Sequence, residues 1–286
     1  MKIKNMKKGL VLEGGALRGL FSAGVMDVLM EQKIEFDGVV GVSAGACFGC
    51  NIISRQPGRV IRYNKKLAHD WRYASLRSWF LTGDYFGGEF DYHYMPEYID
   101  VFDVKTFQEN KTEFWIVCTD VETGEPVYQK IDKVDYESLE YIRASASMPL
   151  ASKIVNINNR KFLDGGVADS IPLRFFQQKG FQQNVVVLTQ PEGFIKQKNK
   201  LMPLMKIVLR KYPRFIDAMA RRHEMYNFEL DYLAVEEKKG NILVMRPANK
   251  LAIGHISHDP EEMQITYELG RRVAENRLDD IISFMV

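Results

Sequence analysis

The sequence predicts an α/β fold built on a mostly parallel central sheet. Three observations predict it. Short apolar runs at residues 9–12 and 39–42 each end in a glycine-bearing loop. Each loop then opens a stretch of helical or small-residue character, which gives the strand–loop–helix order of a βαβ unit. Two further apolar runs, at 184–188 and 242–245, read as buried strands. Strands joined this way lie parallel with right-handed crossovers, and their carboxyl ends share one edge of the sheet, where sites form in open α/β sheets.

Each element has a local reason. Leu10-Val11-Leu12 is bounded by Lys8 and by Glu13-Gly14-Gly15. Leu20, Phe21, Val25, Val28 and Leu29 recur at helical spacing, so a helix is predicted over 19–32. Asp37-Gly38 signals a turn, and Val39, Val40 and Val42 make the second strand. Residues 44–54 are small and apolar, a buried helix closed by Pro57-Gly58. An aromatic-rich middle, with Trp71, Tyr73, Trp79 and Phe80, alternates helical and irregular segments. Strands are predicted at 113–119 and 127–131, and a helix at 138–147 that stops before Pro149. Segments 153–157 and 160–163 flank Asn158-Asn159, a hairpin turn. The tail over 260–284 reads as one or two helices. With no repeat or convincing linker, one domain is expected over 1–286. Its motifs occupy about 8–190, its helical C-terminal part about 191–286, and a Lys- and Gln-rich surface insertion lies near 191–205.

Composition excludes several classes. The 286 residues are 46% hydrophobic and 27% charged, as in ordinary globular proteins. With 39 basic and 37 acidic residues the chain lacks the basic excess of a nucleic-acid binder, so no nucleic-acid partner is expected. Three cysteines, Cys47, Cys50 and Cys118, do not make a disulfide scaffold. Lys2, Lys4, Lys7 and Lys8 resemble the start of a signal peptide, but the apolar stretch after them stops at Glu13. No apolar run reaches the roughly 18 residues of a transmembrane helix. Cytoplasmic residence is the default expectation.

The chemistry centres on Gly41-Val42-Ser43-Ala44-Gly45, which follows a strand and opens a helix as a nucleophile elbow requires. Gly41 and Gly45 permit the sharp turn and close packing, and Ser43 comes to lie at a helix N-terminus, where developing negative charge is favoured. The motif alone is short enough to arise by chance. A second feature supports it. The loop Gly14-Gly15-Ala16-Leu17-Arg18-Gly19 ends the neighbouring strand on the same edge, where its amides can hold a tetrahedral oxyanion. The rival reading of that loop is a phosphate or dinucleotide site. It lacks the Gly-Lys-Ser/Thr ending of a P-loop, and Ala16 replaces the second glycine of the dinucleotide pattern; Asp37 is the weak match to a ribose-binding acid.

A serine nucleophile needs a base. Five histidines are available, His69, His93, His223, His255 and His258, and none sits in an evident motif. His255 and His258 flank a plausible loop. Asp164, in Leu163-Asp164-Gly165-Gly166, is the better candidate, because its carboxylate sits on a tight turn at a strand end.

Other features have plainer readings. Cys47-Phe48-Gly49-Cys50 has the spacing of a redox or zinc motif, but it falls in the small, apolar helix, where close packing explains it. Met202, Leu204, Met205, Ile207, Val208 and Leu209 interleave with Lys200, Lys206, Arg210 and Lys211. That pattern fits a core-facing helix with a basic side, and also an interfacial helix in peripheral contact with anionic lipid over 200–215. Glu236-Glu237-Lys238-Lys239 is a solvated helix end before Gly240.

Taken together and in this order, the glycine loop, the Ser43 elbow, Ile142-Arg143-Ala144-Ser145-Ala146-Ser147-Met148-Pro149 and Phe162-Leu163-Asp164-Gly165-Gly166-Val167 resemble the patatin-like phospholipase family, in its bacterial members. The resemblance covers about 8–190. It implies a three-layer α/β/α fold and a Ser–Asp dyad without histidine, with Ser43 as nucleophile and Asp164 as general base. It also implies an oxyanion hole from Gly15, Ala16 and neighbouring backbone. Ala16 departs from the family, which has a third glycine there. Arg18 matches the family's basic position, as a loop anchor or an attractor of an anionic head group. The implied activity is hydrolysis of carboxylic ester bonds of lipids through an acyl-enzyme, with no metal or organic cofactor. Two other classes compete with it: a nucleotide- or phosphate-binding module using Gly14 to Gly19, and a non-catalytic lipid-binding relative.

Overall fold

The computed structural model describes residues 6–285; Lys2 and Lys4 of the basic start lie outside them. Eight strands form one sheet in the order β5-β6-β3-β2-β1-β7-β8, with β4 paired to β3. They are β1 (Lys7–Leu12), β2 (Gly38–Val42), β3 (Glu113–Asp120), β4 (Pro126–Lys130), β5 (Val155–Ile157), β6 (Arg160–Asp164), β7 (Phe181–Val187) and β8 (Ile242–Met245). β1 pairs in parallel with β2 and with β7, β2 with β3, and β7 with β8. β4, β5 and β6 form the antiparallel side. Strand order reverses at β1: the chain winds to β2 and β3 on one side, then to β7 and β8 on the other. This is the switch point at which ligand crevices open in α/β sheets.

The predicted helices are present. α1 (Gly19–Glu31) crosses from β1 to β2, and α2 (Ala44–Ile53) leaves β2. α3 (Arg59–Leu67), α4 (Leu76–Thr82), a π-helical stretch at Phe90–Ile99 and α5 (Val104–Glu109) fill the aromatic-rich path to β3. α6 (Tyr136–Ser145) precedes the β5–β6 hairpin, whose turn residues Asn158 and Asn159 have φ of 49° and 64°, as a two-residue hairpin turn demands. α7 (Leu173–Gln178), the seven-residue α8 (Met202–Val208) and the 26-residue α9 (Pro213–Lys238) follow. α10 (Pro260–Asn276) and α11 (Leu278–Met285) close the chain.

Two helical layers cover the sheet, and the alternation of strand side chains assigns them. Leu10 and Leu12 of β1 pack in a core with α1, α2, α3, α6 and α10. Val11, with Val40 and Val42 of β2, packs on the other face against α7 and α9 through Phe175, Phe176, Tyr226 and Leu233. β2 is buried along its whole length, as a strand covered on both faces must be. The C-terminal segment is built into this frame. β8 extends the sheet, and α10 lies so close to α1 that a side chain at Gly270 would collide with the Phe21 carbonyl.

The insertion expected near 191–205 is only partly a free surface. Both backbone groups of Lys196 are clamped by the Asn227 side chain of α9, its N–H donating at 2.8 Å and its C=O accepting at 3.1 Å.

Candidate active site

Sheet register brings the two motif residues level. Val42 pairs with Val117, and the next residue of β3, Cys118, pairs with Asp164. Ser43 and Asp164 therefore face each other across β3, two strand spacings apart, or about 10 Å of backbone, and their side chains close that gap. Ser43 Oγ donates to Asp164 Oδ2 at 2.8 Å.

Ser43 stands between β2 and α2 with φ 55° and ψ −122°, a strained conformation for a residue with a side chain. The surroundings hold it there. Its N–H donates to Ser145 Oγ at 2.9 Å, and the Ser145 hydroxyl donates to the Val117 carbonyl at 2.6 Å. The turn is tight enough that a methyl at Gly45 would strike the Leu12 carbonyl, and one at Gly14 would lie 2.8 Å from Ser43 Cβ. β1, the glycine loop and the elbow are thus packed backbone to backbone.

Asp164 is buried, with 5% of its surface exposed. Its Oδ1 accepts from the Gly166 N–H at 2.8 Å, capping the Gly165–Val167 turn. Its backbone N–H donates to the Ser147 carbonyl, and Thr119 Oγ1 donates to its carbonyl, both at 2.8 Å. Burial raises the Asp164 pKa above the ordinary carboxylate value. The Arg222 guanidinium, the Ser43 and Gly166 hydrogen bonds and Lys196 act in the opposite direction.

The glycine loop is narrower in its chemistry than the sequence suggested. Leu17 N–H donates to the His255 carbonyl, Arg18 N–H to Gly15 O, and Gly19 N–H turns back to Ala16 O as α1 begins. Those three amides are spent, which leaves Gly14, Gly15 and Ala16 as the loop's donors. Ala16 has φ 50°, in the left-handed region that a glycine would occupy without strain.

The histidines lie elsewhere. His255 Nε2 is 3.0 Å from Arg18 Nη1, and His258 Nδ1 is 2.8 Å from the Ala68 carbonyl. Burial, then the nearby Arg18, Lys196 and Arg222, pull the His255 pKa down to about 4. Asp37 lies before β2, at the end of the strand away from the glycine loop, and its Oδ2 accepts from the Lys8 N–H at 2.7 Å. It is at the wrong end of the sheet for a ribose-binding acid, which removes the main support for a dinucleotide reading. Cys47 and Cys50 fall on α2, where burial pushes their thiols up to about 12 and 11. Cys47 Sγ is 3.4 Å from the Tyr92 hydroxyl.

Several site residues were not singled out from the sequence. Glu13, buried at the start of the loop, accepts from Thr189 N–H at 2.6 Å and from the Tyr226 hydroxyl at 2.6 Å. Arg222, one turn before Tyr226 on α9, donates through Nε to the Gly166 carbonyl. A charged residue that closes an otherwise apolar strand was the available signal for Glu13. Nothing local marks Arg222, because its partner is 56 residues away.

Beside Ser43 opens a cavity of about 420 Å³ with mostly apolar walls, among them Ala44, Cys47, Phe48, Ile142 and Met148. Its size is that of a small-molecule site. Among the described residues no helix is long and apolar enough to cross a membrane.

A parallel α/β sheet with a strained serine at a strand–helix turn, hydrogen-bonded to a buried carboxylate beside a glycine loop, defines a class of serine-bearing α/β proteins. The family model for patatin-like phospholipase matches residues 10–176, and the chain belongs to that family. A second model, a domain of unknown function (DUF6363), matches residues 212–286. Among curated relatives, the uncharacterized protein YjjU of Escherichia coli K12 is 31% identical over 194 residues, 64% of this chain and 52% of that protein. Lysophospholipase NTE1 of Saccharomyces cerevisiae is 31% identical over 182 residues, 61% of this chain and 10% of that protein. The Kluyveromyces lactis lysophospholipase NTE1 is 33% identical over 181 residues, 60% of this chain and 12% of that protein. The chain thus spans about half the length of the bacterial relative and about a tenth of the fungal ones. Among solved structures, VipD from Legionella pneumophila aligns over 96% of this chain and 67% of its own, with a TM-score of 0.48 and 12% identity.

Proposed function

We propose that this chain is a serine acyl hydrolase that cleaves carboxylic ester bonds of lipids through a Ser43–Asp164 dyad. The observation that carries the reading is the 2.8 Å hydrogen bond from Ser43 Oγ to a buried carboxylate, with Gly14 of the glycine loop packed against Ser43 and Ala16 beside it on the cavity wall. Family membership and the fungal relatives' printed name, lysophospholipase, support lipid esters as the substrate class.

The chemistry runs in two halves. Ser43 Oγ attacks the ester carbonyl carbon while its proton passes to Asp164 Oδ2. The carbonyl oxygen becomes an oxyanion held by the Gly14, Gly15 and Ala16 amides, a contribution of about 10²–10³ in rate per donor in comparable sites. The carbon–oxygen bond to the alcohol breaks, and Asp164 returns the proton to the leaving oxygen. A water then gives its proton to Asp164 as its oxygen attacks the acyl carbon. Collapse of this second intermediate breaks the acyl carbon–Oγ bond while Asp164 returns the proton to Oγ, which frees the carboxylic acid and restores the Ser43 hydroxyl. The cavity beside Ser43 accommodates the acyl chain.

Exposed Leu204, Ile207 and Val208 on α8, beside Lys206, support peripheral contact with an anionic lipid surface. Met205 and Leu209 anchor that segment in the core. Co-sedimentation with phosphatidylglycerol vesicles should fall in Ile207→Asp; equal sedimentation removes this part of the reading.

The test of function is a lipid profile of a total lipid extract after incubation with the parent or with Ser43→Ala. Free fatty acid should accumulate with the parent only. Equal profiles would favour a non-catalytic, lipid-binding relative.

A further inference from the structure

The cavity beside Ser43 is not wholly apolar. Asp91 stands on its wall, in the π-helical stretch Phe90–Ile99. Such winding recurs where a helix lines a functional site. Contacts on either side of Asp91 place it along the path of the cavity. Tyr92, the next residue, has its hydroxyl 3.4 Å from Cys47 Sγ, and the Cys47 N–H donates to the Ser43 carbonyl at 3.0 Å. Met95, one turn further on, has its Sδ 3.7 Å from Arg59 Nη2, and the Arg59 guanidinium lies 5.2 Å from the centre of the Phe102 ring. These residues line the cavity too, so Asp91 lies between its Ser43 end and its Phe102 end.

The Asp91 side chain is stranded there. The residue is 9% exposed, and its Oδ1 is buried with no hydrogen-bond partner among the described residues. The basic residues of the wall are spent elsewhere. Arg59 Nε donates to the Asp100 carbonyl at 3.1 Å and lies 3.2 Å from Asp100 Oδ1, and Arg59 Nη1 donates to Asn51 Oδ1 at 3.0 Å. His93 Nε2 is 2.9 Å from Glu140 Oε1, and Lys133 pairs with Asp135. The Tyr73 hydroxyl, also on the wall, donates to Asn64 Oδ1 at 2.7 Å. Burial holds the Asp91 carboxyl well above the ordinary carboxylate range; the Gly87 N–H opposes the rise, and Asp70 and Asp84 add to it. At neutral pH the group is therefore a carboxylic acid, with one O–H to donate and oxygens to accept.

A polar group without a partner in an apolar cavity is costly, and a ligand that supplies the partner relieves the cost. The mostly apolar walls fix the rest of that ligand as an alkyl chain. We propose that Asp91 hydrogen-bonds a hydroxyl group carried on the acyl chain, so that the cavity selects esters of hydroxylated fatty acids over plain ones. This rests on the acyl-hydrolase reading above and on the acyl chain's place in this cavity. An alcohol complements a neutral carboxyl, because it can donate to one oxygen and accept the proton of the other. A site that hydrogen-bonds a substrate hydroxyl discriminates against the analogue lacking it, whose binding leaves the buried partner unpaired. Asp91 thus sets specificity and takes no part in the proton transfers between Ser43 and Asp164.

Two measurements test this. The first is turnover of nitrophenyl dodecanoate against analogues with one hydroxyl at the third, sixth, ninth or twelfth carbon. At one of these positions the parent should prefer the hydroxylated ester in kcat/KM by about tenfold, the scale of one hydrogen bond. Asp91→Leu, which removes the polar group at similar size, should abolish that preference. Asp91→Asn, which keeps a donor and an acceptor, should retain it. The preference is a ratio, so neither a smaller folded fraction nor a purely structural role for Asp91 moves it. No preferred position, or a preference that survives Asp91→Leu, overturns the proposal. The second is calorimetric titration of Ser43→Ala with methyl dodecanoate and its hydroxylated analogues. One analogue should bind about tenfold tighter than the plain ester, and adding Asp91→Leu should erase the difference. Equal binding of all the analogues overturns the proposal. If the parent cleaves no ester, the hydrolase reading fails, and the titration still decides the role of Asp91.

Discussion

The Tyr226 hydroxyl donates to Glu13 Oε1 at 2.6 Å across 213 residues of chain. This one contact ties α9 to Glu13, the residue just before the glycine loop, and so links the C-terminal segment to the sheet edge that carries Ser43. Tyr226→Phe removes the donor and leaves a buried carboxylate oxygen without a partner. A loss of about 1–3 kcal/mol in stability is expected, read as a lower urea midpoint with an unchanged slope.

Ser145 bridges Ser43 N–H and the Val117 carbonyl, and it holds the strained elbow in place. Ser145→Ala frees both groups. Because Ser145 does not line the cavity beside Ser43, kcat on a short-chain nitrophenyl ester should fall about tenfold or more, as a misplaced nucleophile costs near-attack geometry, while KM changes little. A rise in KM at constant kcat would assign Ser145 to substrate binding instead.

In the proposed dyad, Asp164 must be ionised to accept the Ser43 proton. Burial raises the Asp164 pKa and Arg222 opposes that rise. The rate should therefore climb with pH through a value above the ordinary carboxylate range. Arg222→Met removes the opposing charge, so the acid limb of kcat/KM should move to higher pH. Arg222→Lys should restore much of it. A purely structural role for Arg222 would lower the whole profile without moving the limb.

If the acyl chain enters the cavity beside Ser43 as proposed, the cavity limits the chain accepted. Leu139→Trp narrows it, because Leu139 lines its wall. The preference for a dodecanoyl over a butyryl ester should drop, at about 0.8 kcal/mol for each methylene no longer buried. An unchanged preference would place the acyl chain elsewhere.

Much of this arrangement was legible in the sequence, because its signals are local. The βαβ opening, the elbow and the Asn158-Asn159 hairpin are written in runs of a few residues whose backbone needs are specific. Asp164 stood out as the candidate base from its turn at a strand end, and the family resemblance implied the dyad with Ser43; the physical basis of their meeting is the register of three strands, which no local pattern encodes. Fewer of the glycine loop's amides are free than its sequence suggests. Whether an amide is available depends on what it meets, and Leu17 meets the carbonyl of His255 from a distant loop. The C-terminal contributions were invisible for the same reason. Tyr226, Arg222 and Lys196 look like ordinary residues of an amphipathic helix and a polar loop until the fold brings them to Glu13 and Gly166.

The central claim is the dyad, and covalent labelling tests it most directly. Intact-mass analysis after treatment with a fluorophosphonate should show one adduct on the parent, mapped to Ser43, and none on Ser43→Ala. Asp164→Asn should label at least about 10²-fold more slowly, the scale of losing a general base, while His255→Ala and His258→Ala label near the parent rate. Labelling of Asp164→Asn at the parent rate, or its collapse in a histidine variant, would contradict the account.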